Sequence, residues 1–138
     1  MRKKIVLIPC VSEKKEGIHE AEHLYVSSLF RLCLAYAKGL NPDAIYILSA
    51  KYGLLELNRK IETYNETLNT MRKEQRNAWA RGVIADLSSK TDLQEDEFVI
   101  LAGAKYRENL IGHINYYTLP LEGLRIGEQM SWLKGHTL

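Results

Sequence analysis

The stretch Lys4-Ile-Val-Leu-Ile-Pro9 decides the fold of this 138-residue chain. It is a continuous apolar run that includes β-branched residues, which is typical of a strand buried on both faces of a parallel sheet. Three further segments have a strand pattern, at 44–48, 98–102 and 116–119. Segments with helical spacing of apolar residues follow each strand. This alternation predicts an α/β fold, a three-layer sandwich with a mainly parallel sheet of about four strands.

Apolar stripes and capping residues predict the helices. The first covers about 26–37, and Ser27 or Ser28 could cap it. The second covers about 71–87, with Asn69 or Thr70 as its cap. Two shorter helices are expected at 108–114 and 126–133, and the stretch 54–69 is predicted to be irregular.

The composition predicts one globular domain over residues 1–138. Apolar residues make up 46% of the chain and charged residues 26%, and the length suits one core. No apolar run is long enough to cross a bilayer. Cys10 and Cys33 form no CxxC pair, which favours a reducing compartment. We therefore expect a cytoplasmic protein with no membrane attachment and no cofactor; the net charge of +2 neither supports nor excludes a polyanionic partner.

Chemically versatile side chains follow the ends of the predicted strands. Right-handed crossovers bring the carboxyl ends of parallel strands to one edge of the sheet, where ligands bind. Glycines let a ligand approach the backbone, lysines attract anions, and tyrosines offer a flat face to a nucleobase. The candidate binding residues in these loops are Cys10, Ser12, Lys14, Ser49, Lys51, Tyr52, Gly53, Gly103, Tyr106, Gly127 and Gln129.

A purely structural interpretation stands beside this one, because strand-to-helix loops are polar and rich in glycine in any α/β protein. Two loops that both contain Ala-Lys-Tyr, at 50–52 and 104–106, weaken that interpretation. Cys10 has two interpretations of its own, a nucleophile or a buried structural thiol.

Two further segments are candidates for the same site. Tyr25, Ser27 and Ser28 open the first helix, where hydroxyls and free N–H groups could bind an anion or simply cap the helix. The long loop 62–68 could fold over the site, or it could be a surface excursion. Its candidate residues are Glu62, Tyr64 and Asn65.

The segment His19-Glu20-Ala-Glu-His23 matches the zincin pattern H-E-x-x-H. On a helix its two imidazoles would share a face and bind zinc, with Glu20 as the general base. However, the segment follows Gly17 in a polar stretch, and no third ligand stands at a usual spacing. We therefore interpret the match as fortuitous and expect no metal site.

Several motifs together resemble a family of small, largely uncharacterised bacterial and phage proteins. Pro9-Cys-Val-Ser-Glu-Lys-Lys15 resembles the family's Pro-Cys-Ser-x-Lys-Lys opening. The resemblance continues through 24–30, 47–55 and 61–68 and closes at Leu119-Pro-Leu-Glu-Gly-Leu-Arg-Ile-Gly-Glu-Gln129. The family is distantly similar to the YaaA family of DNA-binding peroxide-stress proteins, and its opening loop resembles one in an accessory domain of archaeal tRNA-guanine transglycosylases. The resemblance implies nucleic-acid or nucleobase chemistry.

The chain departs from this pattern at two positions. Val11 separates Cys10 from Ser12, which displaces the serine by one place. Asn65 stands where the relatives are expected to carry Asp. If that Asp is catalytic, this protein is slow, inactive, or uses Asn65 to position water.

Three functions follow as alternatives. The first is an enzyme that recognises a base in a nucleic acid or nucleotide and cleaves an N-glycosidic bond. Lys14 and Lys51 would bind phosphate, and Tyr52 or Tyr106 would stack on the base. Asn65 or Glu62 would orient the water. Glu128 with Gln129 would contact the base or sugar. The second is a nucleic-acid or nucleotide binding protein without turnover, and the third is a zinc hydrolase.

Overall fold

The computed structural model describes residues 2–11 and 14–137. Its strands are β1 (Lys4–Pro9), β2 (Ile18–Glu20), β3 (Ala44–Ser49), β4 (Gly53–Glu56), β5 (Lys60–Glu62), β6 (Glu97–Ile100) and β7 (Tyr116–Thr118). Its α-helices are α1 (Ala21–Leu24), α2 (Ser28–Gly39), α3 (Lys73–Lys90), α4 (Ala104–Arg107) and α5 (Ile126–His136). Two 3-10 helices lie at Leu68–Thr70 and Ile111–His113.

The main sheet has five strands in the order β4-β3-β1-β6-β7. All neighbours in it run parallel except β3 and β4. β1 is central, and Val6 is in register with Ile45 on one side and Val99 on the other. A separate antiparallel pair joins β2 to β5. The predicted α/β sandwich with a mainly parallel sheet is confirmed.

Helices cover both faces of the sheet, and β1 contributes alternate side chains to each face. Val6 and Ile8 pack into one core with residues of α2 and α5, whereas Ile5 and Leu7 pack into the other with residues of α3. Each of these four side chains is at most 2% exposed. Burying one such side chain stabilises a fold by about 1.5–3 kcal/mol, so an apolar run without alternation is what this central strand requires.

The helix starts follow from capping. Ser27 Oγ accepts a hydrogen bond from Phe30 N at 3.1 Å, so the predicted cap of α2 is confirmed at Ser27. The predicted cap of α3 at Asn69 or Thr70 was wrong, because both residues belong to a 3-10 helix. Arg72 is the cap instead, and its N–H donates to Gln75 Oε1 at 3.0 Å.

Sequence reasoning missed the short strands. The stretch predicted to be irregular contains β4, β5 and a 3-10 helix. Ser49 to Gly53 is the turn of a hairpin, in which Ser49 pairs with Gly53, so the prediction of a strand-to-helix loop there was wrong. The helix predicted at 108–114 is replaced by α4 and the 3-10 helix at Ile111–His113. Strands of three or four residues leave too little local pattern and depend on partners elsewhere in the chain.

Within residues 2–11 and 14–137, none of the helices has the length and apolar character that a bilayer crossing needs.

The strand order places a crevice beside β1. The chain leaves β1 through α2 to reach β3 on one side, and it later returns through α3 to β6 on the other side. In open α/β sheets the connections diverge at such a point, and ligands bind there beyond the carboxyl ends of the strands.

Candidate functional site

A cleft of about 830 Å³ opens beyond the carboxyl ends of β1 and β6. Its polar lining residues are Cys10, Lys14, Ser27, Ser28, Asn65, Glu66, Thr67, Asn69, Gly103, Tyr106, Arg107 and Gln129. Its apolar lining residues are Pro9, Val11, Val26, Leu29, Leu101, Ala102, Leu121, Ile126 and Met130. A cleft of this size, at this point of the sheet and with both kinds of lining, has the features of a small-ligand site.

Lys14 supplies positive charge to the cleft. Its ammonium lies 4.4 Å from the ring centroid of Tyr64 and 5.7 Å from that of Tyr25. Partial burial lowers the pKa of Lys14, and the nearby Cys10 and Glu66 act in the opposite direction. Among the residues that the structure describes, Lys14 forms no ion pair within 4.0 Å. A half-buried ammonium in this situation can bind an anionic ligand.

Two helix N-termini border the same cleft. Ser28 and Leu29 begin α2, while Ile126 and Gln129 belong to the first turn of α5. The first N–H groups of a helix have no intrahelical acceptor, and the helix dipole is positive at that end. Both helix N-termini therefore attract an anion into the cleft, as the Lys14 ammonium does.

Apolar residues also line the cleft, and part of this apolar surface is open to solvent. Val26, Leu121 and Met130 contribute to it, and Ile126 is 64% exposed at the rim. An exposed isoleucine beside a polar cleft is suited to cover a flat apolar group. The cleft thus combines cationic and apolar lining residues.

Tyr106 lines the cleft and is held there by several contacts. Its hydroxyl lies 3.5 Å from Cys10 Sγ and accepts a hydrogen bond from Leu68 N at 3.3 Å. Its ring meets that of Trp79 edge to face, with 5.6 Å between centroids. Burial, assisted by the neighbouring Cys10, raises the pKa of Tyr106 to about 12, so the hydroxyl keeps its proton at neutral pH.

A chain of buried hydroxyl groups lies behind Lys14. Tyr52 N donates to Ser49 Oγ at 3.0 Å, and Ser49 Oγ donates to Tyr64 Oη at 2.8 Å. The hydroxyls of Tyr64 and Tyr25 are 2.5 Å apart. Burial raises the pKa of both tyrosines well above the usual range, and the closeness of Cys10 adds to the shift in each case. These phenols are therefore neutral donors.

The loop between β5 and the 3-10 helix at Leu68–Thr70 brings Asn65 and Glu66 into the cleft lining. Asn65 was a sequence candidate, whereas Glu66 was not. The signal for Glu66 was present, because it lies inside the 62–68 loop that sequence reasoning singled out. Glu66 places a carboxylate near Lys14, close enough to influence its pKa.

Arg107 is a second lining residue that sequence reasoning missed. Its Nη1 donates to the carbonyl of Ala102 at 3.0 Å, and its Nη2 lies 3.8 Å from Glu122. It follows directly after the second Ala-Lys-Tyr, so the local pattern could have identified it. The carbonyl and the carboxylate orient its guanidinium at the edge of the cleft.

The structure brings most of the sequence candidates to one place. Those that line the cleft are Cys10, Lys14, Ser27, Ser28, Asn65, Gly103, Tyr106 and Gln129. Tyr25, Ser49 and Tyr64 form the hydroxyl chain behind Lys14. Those outside the lining are Lys51, Tyr52, Gly53, Glu62, Gly127 and Glu128. Ser12 lies outside the described residues.

Tyr52, Glu62 and Glu128, which lie outside the lining, have structural partners. Tyr52 Oη donates to the carbonyl of Glu62 at 3.2 Å and accepts from its N–H at 3.3 Å, which fixes the hairpin against β5. Glu128 Oε1 accepts from Arg125 N at 2.9 Å and thereby caps α5.

The His19–His23 segment does not form the helix that a zincin needs. His19 lies in β2, where its Nε2 is 2.7 Å from the carbonyl of Glu16, and His23 lies in the short helix α1. The potential ligand atoms of Glu20, Glu22 and His23 do lie within 4.8 Å of one another. Glu22 also forms an ion pair of 3.2 Å with Lys38.

Comparison with known proteins identifies a family. The model of a family of unknown function, DUF6884, matches residues 5–135, so the chain belongs to that family. No curated protein matches it significantly.

Proposed function

We propose that this protein binds a nucleotide, free or as a unit of a nucleic acid, and hydrolyses its N-glycosidic bond. The observation that carries the proposal is that one cleft is lined both by the cation Lys14 and by apolar residues, including Val26, Ile126 and Met130. A nucleotide has matching parts, an anionic phosphate and a flat base.

The cationic groups of the lining suit the phosphate. Lys14 and the N-terminus of α2 act on the same volume, and Ser28 adds an exposed hydroxyl. Backbone N–H groups at a helix start are common phosphate ligands. Arg107 adds a second charge at the edge of the cleft.

The apolar residues of the lining suit the base. Ile126 and Met130 provide a surface on which a planar ring can lie. Gln129 lies beside them, and its amide nitrogen is engaged with the carbonyl of Leu124 at 2.9 Å. The amide oxygen of Gln129 is then oriented as an acceptor for an exocyclic amino group of the base.

Asn65 and Glu66 supply the groups that hydrolysis requires. In the proposed step, a water held by Asn65 transfers a proton to the Glu66 carboxylate as its oxygen bonds to C1′ of the sugar. The C1′–N bond breaks, its electron pair leaves with the base, the base takes up a proton from solvent, and Glu66 then returns its proton to solvent. The negative charge of Glu66 also favours the cationic character that develops on the sugar. The sequence resemblance to YaaA-type and transglycosylase-type proteins, if it holds, implies the same class of substrate.

The test is base release. Purified protein is incubated with single-stranded DNA, double-stranded DNA, tRNA and nucleoside 5′-monophosphates, and free base is measured by chromatography and mass spectrometry. Glu66→Gln should lower release by about a hundredfold or more while binding persists. Glu62→Gln, outside the cleft, is the matched control and should retain release. Absence of release from every substrate would refute the hydrolysis.

A binding protein without turnover is the second candidate. It is favoured because Glu62 and Glu128 lie outside the cleft, which leaves Glu66 as the carboxylate of the described lining. Binding that weakens with salt, without base release, would select this function.

A further inference from the structure

Lys14 is a half-buried lysine of the cleft lining, and its ammonium lies 4.4 Å from the ring centroid of Tyr64. Partial burial lowers the pKa of Lys14, against the smaller effects of Cys10 and Glu66, and this raises the fraction of neutral amine at a given pH. The parts of the chain that the structure describes supply no ion pair to this ammonium. A partly desolvated amine that is open to a cleft can attack a carbonyl carbon.

The backbone that carries this amine is held in place. Lys14 forms a β-bridge with Tyr25, and Lys15 N donates to the carbonyl of Leu24 at 2.8 Å. Both contacts fix the segment against the end of α1. The amine therefore needs only side-chain rotation to reach a group bound in the cleft, which lowers the entropic cost of an attack.

A carboxylate of the same lining lies near Lys14. Glu66 is exposed to solvent, and it is close enough to Lys14 to influence its pKa. In the proposed hydrolysis, Glu66 takes a proton from the water that attacks C1′ of the sugar, so Lys14 also stands beside C1′. After the base has left a DNA strand, C1′ is the aldehyde carbon of the open abasic deoxyribose. An aldehyde is the electrophile with which a lysine forms an imine.

We propose that Lys14 gives this protein a second activity, an abasic-site lyase that cleaves a DNA strand after the base has left. The inference rests on the proposed function, which places C1′ beside Glu66. Lys14 contacts the phosphate of the intact nucleotide, and its flexible four-carbon stem lets the same amine reach C1′ afterwards. The substrate of this second activity is a DNA strand that carries an abasic deoxyribose.

The balance of the lyase reaction requires no oxidant or reductant. Lys14 passes a proton to Glu66, and its nitrogen bonds to C1′ of the aldehyde. The aldehyde oxygen takes a second proton from this nitrogen and the first one back from Glu66, and it leaves as water from a protonated imine. Glu66 then removes a proton from C2′, the C2′–H electron pair forms the C2′–C3′ double bond, and the C3′–O pair leaves with the 3′ phosphate. Water hydrolyses the imine, which frees Lys14 and an unsaturated aldehyde.

The experiment uses a labelled DNA oligonucleotide with one preformed abasic site, single-stranded and in a duplex, so that base release by this protein is not required. Sodium cyanoborohydride reduces an imine to a stable amine and leaves the protein joined to the DNA. Denaturing gels measure this joined species and, without the reductant, strand scission at the abasic site. Mass spectrometry of the joined protein identifies the residue that carries the sugar.

Lys14→Arg is the main variant, because it removes the nucleophilic amine and keeps the positive charge. It should lower joining and scission by about tenfold or more, and fluorescence anisotropy of the same DNA separates this loss from a loss of binding. Glu66→Gln should also lower scission by about tenfold or more. Lys51→Met and Lys105→Met are matched controls, since both lysines are exposed and outside the lining, and they should stay within about twofold of the wild type. Circular dichroism verifies that each variant is folded.

Two results would overturn the lyase: joining only at residues other than Lys14, or equal joining by wild type and Lys14→Arg. If Lys14→Arg is unfolded, the residue identified in the wild type decides. Unchanged scission in Glu66→Gln would overturn the role of Glu66.

The lyase and the proposed function can fail separately. If base is released from a nucleotide or nucleic acid but abasic DNA is not joined, the lyase is wrong and the proposed hydrolysis stands. If abasic DNA is joined at Lys14 but no substrate releases a base, the lyase stands and the proposed hydrolysis fails. If neither occurs, both are wrong.

Discussion

The tripeptide Ala-Lys-Tyr occurs at 50–52 and at 104–106, and its two copies have different surroundings. The first copy is the loop of the β3–β4 hairpin and lies outside the cleft lining. The second copy begins α4, and its tyrosine lines the cleft. The same tripeptide therefore does not have the same structural role in its two positions.

The position of the flanking glycine distinguishes the copies. Gly53 follows the first copy with φ of +72°, which suits the end of a three-residue hairpin loop. Gly103 precedes the second copy with φ of −70° and begins a helical turn. The local glycine sets the backbone, and distant partners then fix the tyrosines, Glu62 for Tyr52 and Leu68 for Tyr106.

The largest expected effect is a loss of stability at alkaline pH, because Tyr25 and Tyr64 are buried and Tyr106 is half-buried. Their pKa values are raised in the folded protein, to about 12 for Tyr106, against the ordinary value of 10.0. A raised pKa means that the folded state holds the proton more tightly. The stabilisation is therefore complete below pH 10.0 and is lost as the pH rises toward 12. Urea unfolding across this range should show the fall in unfolding free energy, which Tyr106→Phe should reduce. An equal fall in that variant would contradict the assignment.

The next largest effect is expected when a single hydroxyl is removed, because Tyr106 and Tyr52 should then lose different amounts of unfolding free energy. Tyr106→Phe leaves Leu68 N and Thr67 without the hydroxyl near them, and we expect a loss of about 1–2 kcal/mol in unfolding free energy. Tyr52→Phe loses exposed bonds to Glu62, and we expect less than about 0.5 kcal/mol. Chemical denaturation measures both, and equal losses would show that the two environments do not differ in this way.

Glycine substitutions test the backbone part of the comparison. Gly53→Ala forces a residue with a Cβ to positive φ and should cost about 1 kcal/mol. At Gly103, φ is ordinary and a Cβ would meet nothing within 4 Å among the described atoms, so Gly103→Ala should stay within about 0.5 kcal/mol of the wild type. Thermal unfolding of the two variants side by side is sufficient. A larger loss at Gly103 would show that the copies are not distinguished by backbone conformation.

The two lysines should show the smallest effect. Lys51 and Lys105 are both exposed and both lie outside the cleft lining. Lys51→Met and Lys105→Met should each change nucleotide affinity by less than about twofold at fixed salt. A much weaker affinity in Lys51→Met would instead support the sequence-based expectation that Lys51 binds phosphate.

The central strands could be predicted from the sequence because burial on two faces leaves an unambiguous pattern. Lys4–Pro9 and Ala44–Ser49 are predicted almost to the residue. β4 and β5 could not be predicted, since Gly53–Glu56 and Lys60–Glu62 owe their extended form to pairing with β3 and β2. Their own residues show no alternation long enough to detect.

The candidate site was predictable to the extent that strand ends mark it. Cys10 follows β1 directly, Lys14 and Gly103 lie in the segments after β1 and β6, and all three line the cleft. Lys51 was grouped with them because it also follows a strand, yet that strand turns back into a hairpin. The difference between a turn and a crossover depends on where the next segment pairs, which local sequence does not contain.

The small β2–β5 pair holds together two segments that line the cleft. It joins Ile18–Glu20 to Lys60–Glu62, and Lys14 is itself bridged to Tyr25. The segment that carries Lys14 and the segment that carries Asn65 are therefore fastened to each other, although about fifty residues separate them along the chain. Much of the conformational entropy of these two segments is lost when the protein folds, before any ligand binds. A ligand that meets them has correspondingly less ordering to accomplish on arrival.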